Sequence, residues 1–165
     1  MAEDTDRIRK IDDLIHGLLT QVRIGSLGTL RESPAQGEWN AIQILAHVAE
    51  FVPFWAKQAR LLAERDDGGA AFGRSTVNPE EDPERLAAVE RYGSYARGAV
   101  IDVLERGLAQ AREDIHSIQP DRWSRTGRHA DGTVRTVAQV VDELIIDHLA
   151  AHSHQMENTI PPDDD

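Results

Sequence analysis

Apolar residues recur at steps of three and four along most of this chain, the spacing that places them on one face of an α-helix. From about Thr5 to Leu30, Ile8, Ile11, Leu14, Ile15, Leu18, Leu19, Val22 and Leu27 form such a stripe and predict a first amphipathic helix, weakened near its end by Gly25 and Gly28. Ser33-Pro34-Ala35-Gln36-Gly37 reads as the loop that follows. A second stripe runs through Ile44, Leu45, Val48, Phe51, Phe54, Trp55 and Leu61-Leu62 to about Arg65. It opens on Trp39-Asn40-Ala41-Ile42-Gln43, where Asn40 can cap the helix and Gln43 can return the bond as its N3 partner. Pro53 lies inside this stripe, and because the apolar spacing continues past it, one helix kinked around Ala49 to Pro53 is expected.

The pattern lapses from Asp66 to Val77, a glycine-rich stretch long enough to connect two parallel neighbouring helices. Asn78-Pro79-Glu80-Glu81 then carries an N-cap, a proline at the first helical position and early acidic residues. A long third helix is predicted from there to Ile118, with Leu86, Val89, Ala96, Val100, Val103, Leu104, Leu108, Ala111 and Ile115 on its stripe. Gly93, Gly98 and Gly107 inside it would cost about 1 kcal/mol each relative to alanine. Gln119 to Arg135 is a second connection, in which Pro120 is a stop, Asp131-Gly132 can close a small hairpin and Trp123 is expected to plug one end of the core. Thr136-Val137-Ala138-Gln139 repeats the capping-box pattern, and a fourth helix should run from there to about Thr159 with Val137, Val140, Val141, Leu144, Ile145, Leu149 and Met156 inward. Residues 160–165 read as a frayed acidic tail, and no internal repeat is visible.

Composition narrows the function classes. With 165 residues, one domain with a full core is expected. Few β-branched runs and abundant alanine, leucine, glutamate and arginine favour an all-α protein. Trp39, Trp55 and Trp123 stand out as core anchors in a chain with only 5% aromatic residues. A formal charge of -11, with Lys10 and Lys57 the only lysines, argues against nucleic acid and against anionic membrane surfaces as partners. No apolar run approaches the roughly 20 residues of a membrane span, and Met1-Ala2-Glu3-Asp4 does not open a signal peptide, so a cytoplasmic location is expected. The absence of cysteine removes disulfides, thiolate ligands and a protein thiol nucleophile, leaving histidine, carboxylate and hydroxyl as ligands.

Seven histidines remain to be sorted. His148 and His152 are four apart on the fourth helix, so both imidazoles can reach one point and supply two neighbouring positions around a transition metal. His47, two turns into the second helix among Ile44, Leu45, Val48 and Phe51, is either a core-edge residue bonded to a backbone carbonyl or a third ligand. His154 is rotated to about the opposite side of its helix from His152 and reads as a decoy. His16 reads as a surface or boundary residue, His116 as a structural group at the negative end of a helix dipole, and His129 as solvated.

Three features then coincide: Gly37-Glu38-Trp39-Asn40 followed by His47, Thr136-Val137 opening the last helix, and His148-x-x-x-His152-x-x-Gln155. Together they resemble the DinB-like four-helix bundle superfamily, which includes bacillithiol S-transferases and mycothiol-dependent maleylpyruvate isomerases, over roughly residues 5 to 158. The resemblance implies an all-α four-helix bundle in up-down-down-up order, with a long crossover between helices two and three. It also implies a divalent metal held by one histidine of helix two and two of helix four, positions matched here by His47, His148 and His152. Gln155, one turn past His152, is placed to contact the site or to pack beside it.

Three imidazoles on Zn²⁺ or Ni²⁺ leave a position open for water or a substrate atom. A thiol bound there would lose its proton at neutral pH, and with no cysteine in the chain the sulfur would come from bacillithiol, mycothiol or glutathione. Thiol transfer to an electrophilic small molecule is therefore the first expectation, with Arg74, Arg125, Arg128 and Arg135 available to recognise a polar thiol. The same open position could instead activate water for hydrolysis, with Glu50 either the base or, as the more ordinary reading, a surface glutamate. A third reading is a non-catalytic, metal-binding or stress-response interaction bundle. Members of the superfamily are commonly dimers, and Phe51, Phe54 or Trp55 could contribute to a homodimer contact.

Overall fold

A computed structural model describes residues 2–66 and 68–160; Asp67 of the first connection and 161–165 of the expected tail lie outside the described residues. The helices are α1 (Ala2–Ile24), α2 (Ala41–Glu64), α3 (Pro83–Gly93), α4 (Arg97–His116), α5 (Val137–Val141) and α6 (His148–Thr159), the last two joined without a break by a π-helical turn at Asp142–Asp147. Three short strands, β1 (Ala70–Ala71), β2 (Thr126–Arg128) and β3 (Val134–Thr136), form a small sheet at one end.

The side-chain contacts give the order of the bundle. Asp12 of α1 meets Arg112 of α4, and Arg23 meets Glu105, so those two helices run antiparallel. In contrast, α2 and α4 run parallel, since Gly107 lies against Pro53 and the carboxylate of Asp114 accepts from Arg60 at 2.8 Å. The last rod opposes α2, with Gly127 just before it packed on Leu62 and His148 opposite His47. This is the up-down-down-up four-helix bundle, and its core is lined by Ile15 and Leu18, Ile44 and Val48, Leu104 and Ile115, and Val141 and Leu149, none more than 1% exposed.

Both expected capping boxes form: Asn40 with Gln43, and Thr136 with Gln139, each pair bonding reciprocally. They start α2 and α5 where the sequence pattern places them, and α2 passes through Pro53 as one helix. Trp123 is buried under the Arg7 guanidinium, 4.7 Å from the ring centroid.

Three expected boundaries are corrected. Helix α1 stops at Ile24; Leu27 is exposed, and Leu30 enters the core from a separate turn at Thr29–Arg31. The long third helix is two. The Asn78 side chain accepts from the Glu80 amide of a short 3-10 turn, whereas Asp82 caps α3 by accepting from the Arg85 amide, with Pro83 following it. The chain then breaks at Ser94 to Ala96, where Gly93 and Ser94 weaken the helix and Arg31 donates to the exposed carbonyls of Gly93 and Tyr95. Helix α3 therefore belongs to the return path, with Gly93 over Gln43 near the start of α2, and only α4 is a bundle helix; Leu86, assigned to the inner stripe, is 46% exposed. Finally, the crossover is not without structure, because β1 pairs parallel to β2, Ala70 opposite Gly127.

Candidate metal centre

The capping box at Asn40 fixes the phase of α2 so that His47 points into the bundle, where it is 1% exposed. On the last rod the phase is reset by the π turn, whose wider ladder takes in an extra residue immediately before His148; such turns recur at functional sites. The result brings His47, His148 and His152 together, with one ligand nitrogen from each lying within 4.8 Å of the others. The Nε2 atoms of His47 and His148 are 3.5 Å apart. Two imidazole nitrogens sharing one tetrahedral ion at normal bond lengths lie roughly 3.3–3.4 Å apart, so this spacing needs little adjustment.

Tautomer and orientation are set from behind. Gln155 Oε1 accepts from His152 Nδ1 at 2.8 Å, which leaves the His152 Nε2 lone pair bare, and that atom is buried with no hydrogen-bond partner. Phe51 stacks on His148 with ring centroids 4.4 Å apart and an interplanar angle of 11°, while Trp39 closes over His47 at 5.1 Å. A buried lone pair without a donor is a standing cost unless something occupies the position it faces; the donor set fits a divalent transition metal.

The electrostatics favour the neutral, ligating form. Burial first, then the like charge of His152, Arg85 and His148, pushes the His47 imidazole down to about 2. Burial, then the like charge of His152 and Arg85, pushes His148 down to about 4, and burial lowers His152 despite its bond to Gln155. All three are uncharged at neutral pH, and protons compete poorly for their lone pairs.

The centre opens on a cleft of about 430 Å³ between the helices and the small sheet. Of the two sequence readings of Glu50, candidate base or surface glutamate, the structure removes the second: it faces this cleft with its side chain 13% exposed, pairs with Arg74, and its Oε2 is buried without a partner. Burial raises its pKa, against the opposing charge and hydrogen bond of Arg74. Arg74 also pairs with Asp82 at 3.0 Å and lies 3.9 Å over the Phe54 ring, so it ties the crossover to α2. Of the other proposed arginines, Arg135 lines the cleft while bonded to Glu143; Arg125 is engaged with Asp66, and Arg128 with the Gly132 carbonyl. Sequence reasoning missed Arg85, which stacks over Trp39 at the mouth, because only the fold of α3 brings it there.

The remaining histidines divide. The exposed His154 ring meets Glu157, as expected of a decoy; His16 is exposed, and His116 bonds Asp4. His129 is corrected: it is buried between Trp55 and Phe72 and lines the cleft. Phe51 and Trp55 are likewise buried within the chain.

The model of the DinB superfamily matches residues 10–156 of the chain. Among solved structures, YfiT from Bacillus subtilis, a probable metal-dependent hydrolase with an unusual four-helix bundle topology, gives a TM-score of 0.75 at 13% identity, over 94% of this chain and 85% of that one. The mycothiol-dependent maleylpyruvate isomerase gives 0.71 at 15% identity, over 96% of this chain and 64% of its own, so the chain spans less than two thirds of that protein. No curated protein matches it in sequence.

Proposed function

The chain belongs to the DinB superfamily, and from that premise we propose that it is a divalent-metal-dependent enzyme that transfers a low-molecular-weight thiol to an electrophilic small molecule. The observation that carries this reading is the convergence of three neutral imidazoles, one with a buried unpaired Nε2, at a point where His47 and His148 line an open cleft. His47, His148 and His152 would hold Zn²⁺ or Ni²⁺. Bound there, the ion would act as a Lewis acid that makes a thiol or water at its open position more acidic. The chain supplies the rest: Gln155 and Phe51 fix the ligand rings, Trp55 and Leu144 give the cleft an apolar side, and Arg85 and Arg135 place positive charge where an acidic thiol such as bacillithiol would enter. The sulfur must come from such a cosubstrate, because the chain contains no cysteine.

Metal-dependent hydrolysis is a second reading, favoured by Glu50, whose unpartnered Oε2 lies in the same cleft and could take a proton from water. One experiment separates the two. Protein loaded with Zn²⁺ or Ni²⁺ is offered bacillithiol, mycothiol or glutathione with monochlorobimane, and separately an ester and amide panel without thiol. Thiol-dependent fluorescence that disappears in His148→Ala is the expected result. Turnover of the ester or amide panel alone would transfer the assignment to hydrolysis, and neither activity in metal-loaded protein would overturn both.

A further inference from the structure

A second group of polar side chains stands in the cleft, on the hairpin between β2 and β3 and apart from the three histidines. The hairpin turn is closed by its own backbone: the His129 amide donates to the Thr133 carbonyl and the Gly132 amide to the His129 carbonyl, both at 2.9 Å, with Gly132 at φ 86°. The His129 ring packs against Trp55 and Phe72, with centroids 5.7 and 5.5 Å away. Gly73 opposes it so closely that a Cβ there would lie 2.8 Å from His129 Cδ2. These contacts leave the ring little freedom to turn.

Its Nδ1 lies 3.1 Å from Asp131 Oδ2. The Asp131 amide is 3.5 Å from the same nitrogen, too far to displace a carboxylate as its partner. Asp131 is held in turn by the Thr133 hydroxyl and amide, with Arg135 beside it, and the Thr133 side-chain bond foremost keeps its carboxyl below the usual range. An anion at Nδ1 fixes the proton there and leaves Nε2 as the lone-pair atom. Among the described residues Nε2 has no hydrogen-bond partner, and the ring lines the same cleft as His47 and His148.

We propose that His129, oriented by Asp131, is the proton carrier of this cleft, taking the proton of the thiol that attacks from the three-histidine centre. The reaction is R–SH + E–X giving R–S–E + HX. The S–H bond breaks and its proton passes to His129 Nε2; the sulfur pair forms the S–E bond, and X leaves with the E–X pair. The imidazolium, stabilised by Asp131, then releases its proton to X, or to water where X is as weak a base as chloride. The three imidazoles of the centre would have their lone pairs committed to the ion, and Glu50, whose open Oε2 serves the hydrolytic reading, is held against the Arg74 cation, which the His129 ring is not. The role rests on the thiol-transfer reading; Asp131 acts through His129 and is a positioning residue.

The test uses the metal-loaded full chain. Wild type, His129→Gln and Asp131→Asn are compared for metal content, for kcat and KM with the thiol and chlorobimane, and for the His129 tautomer by long-range ¹H–¹⁵N correlation. Both variants should keep one metal per chain and a KM within a few-fold of wild type, while kcat falls by about 10²–10⁴-fold. The wild-type ring should carry its proton on Nδ1, and Asp131→Asn should move it to Nε2. Because Asp131 is a turn residue, that variant stays informative if His129→Gln does not fold. A wild-type proton on Nε2, or variants as fast as an active wild type, would overturn the dyad alone. A metal-loaded wild type that transfers no thiol would overturn the functional reading and the dyad's role together.

Discussion

The two walls of the cleft are built by different physics. The helical wall, α2 and α6, presents His47, His148, His152 and Glu50 from rods started by local capping boxes, and its polar groups are buried with lone pairs left bare. The loop wall, made of the crossover and the β2–β3 hairpin, presents Arg74, His129, Asp131 and Arg135 from segments with almost no regular structure of their own, and each of these side chains is held by a charged partner, with the His129 ring leaving only its Nε2 open among the described residues. A wall with unused lone pairs is suited to hold an ion. A wall of paired charges is suited to orient what meets it. The difference teaches that the binding part of this site is encoded by nearby residues, and its surroundings by contacts between segments far apart in sequence.

Acid should separate the walls most strongly, because it acts on all three imidazoles at once. The unfolded chain takes up these protons near pH 6.5, whereas in the fold His148 takes one only near pH 4 and His47 only near pH 2. Between those limits unfolding binds protons, so stability is full above pH 6.5 and falls as the pH is lowered through the window. Urea midpoints of metal-free protein at pH 7.5 and 5 are expected to show that loss; equal midpoints would mean that the imidazoles are not desolvated.

Arg74→Ala cuts the tie between the walls. It leaves Glu50 and Asp82 buried without their cation, and a loss of about 3–5 kcal/mol is expected from denaturant unfolding. A cost below 1 kcal/mol would show that the crossover is not anchored there. Gln155→Leu acts on the helical wall alone: His152 keeps its place but loses the acceptor on Nδ1, and Zn²⁺ affinity measured by competition with a chelating dye should drop about 10–100-fold. The smallest effects form a matched pair. Gly127→Ala would set a Cβ 2.6 Å from Leu62 Cδ1 and 2.8 Å from the Ala70 carbonyl, costing about 1–3 kcal/mol as the sheet shifts off α2. Asn40→Ala removes one cap at about 1 kcal/mol. If the cap costs more than the glycine, the assignment of local encoding to one wall and non-local encoding to the other is reversed.

That division also explains what the sequence made legible. His47, His148 and His152 could be found from helical spacing and a family resemblance, because each sits on a helix whose phase nearby residues set. The break after Gly93 could not, since the apolar stripe continues across it and the carbonyls it exposes are satisfied by Arg31, more than sixty positions away. The sequence leaves Glu50 open between a base and a surface glutamate for the same reason: its partner Arg74 reaches it only once the crossover is folded, and the parallel pairing of Ala70 with Gly127 has no local signal. His129 sits in a turn that was recognised, but the turn's hydrophobic partners, Trp55 and Phe72, belong to other segments.

The central claim is that three histidines from two helices hold one ion. Metal content by mass spectrometry, on wild type and on His47→Ala and His148→Ala after dialysis without chelator, tests it most directly. About one Zn²⁺ or Ni²⁺ per chain in wild type, and less than a tenth of that in both variants, is the expected result. A folded wild type that stays metal-free after reloading, or variants that keep the ion, would contradict it.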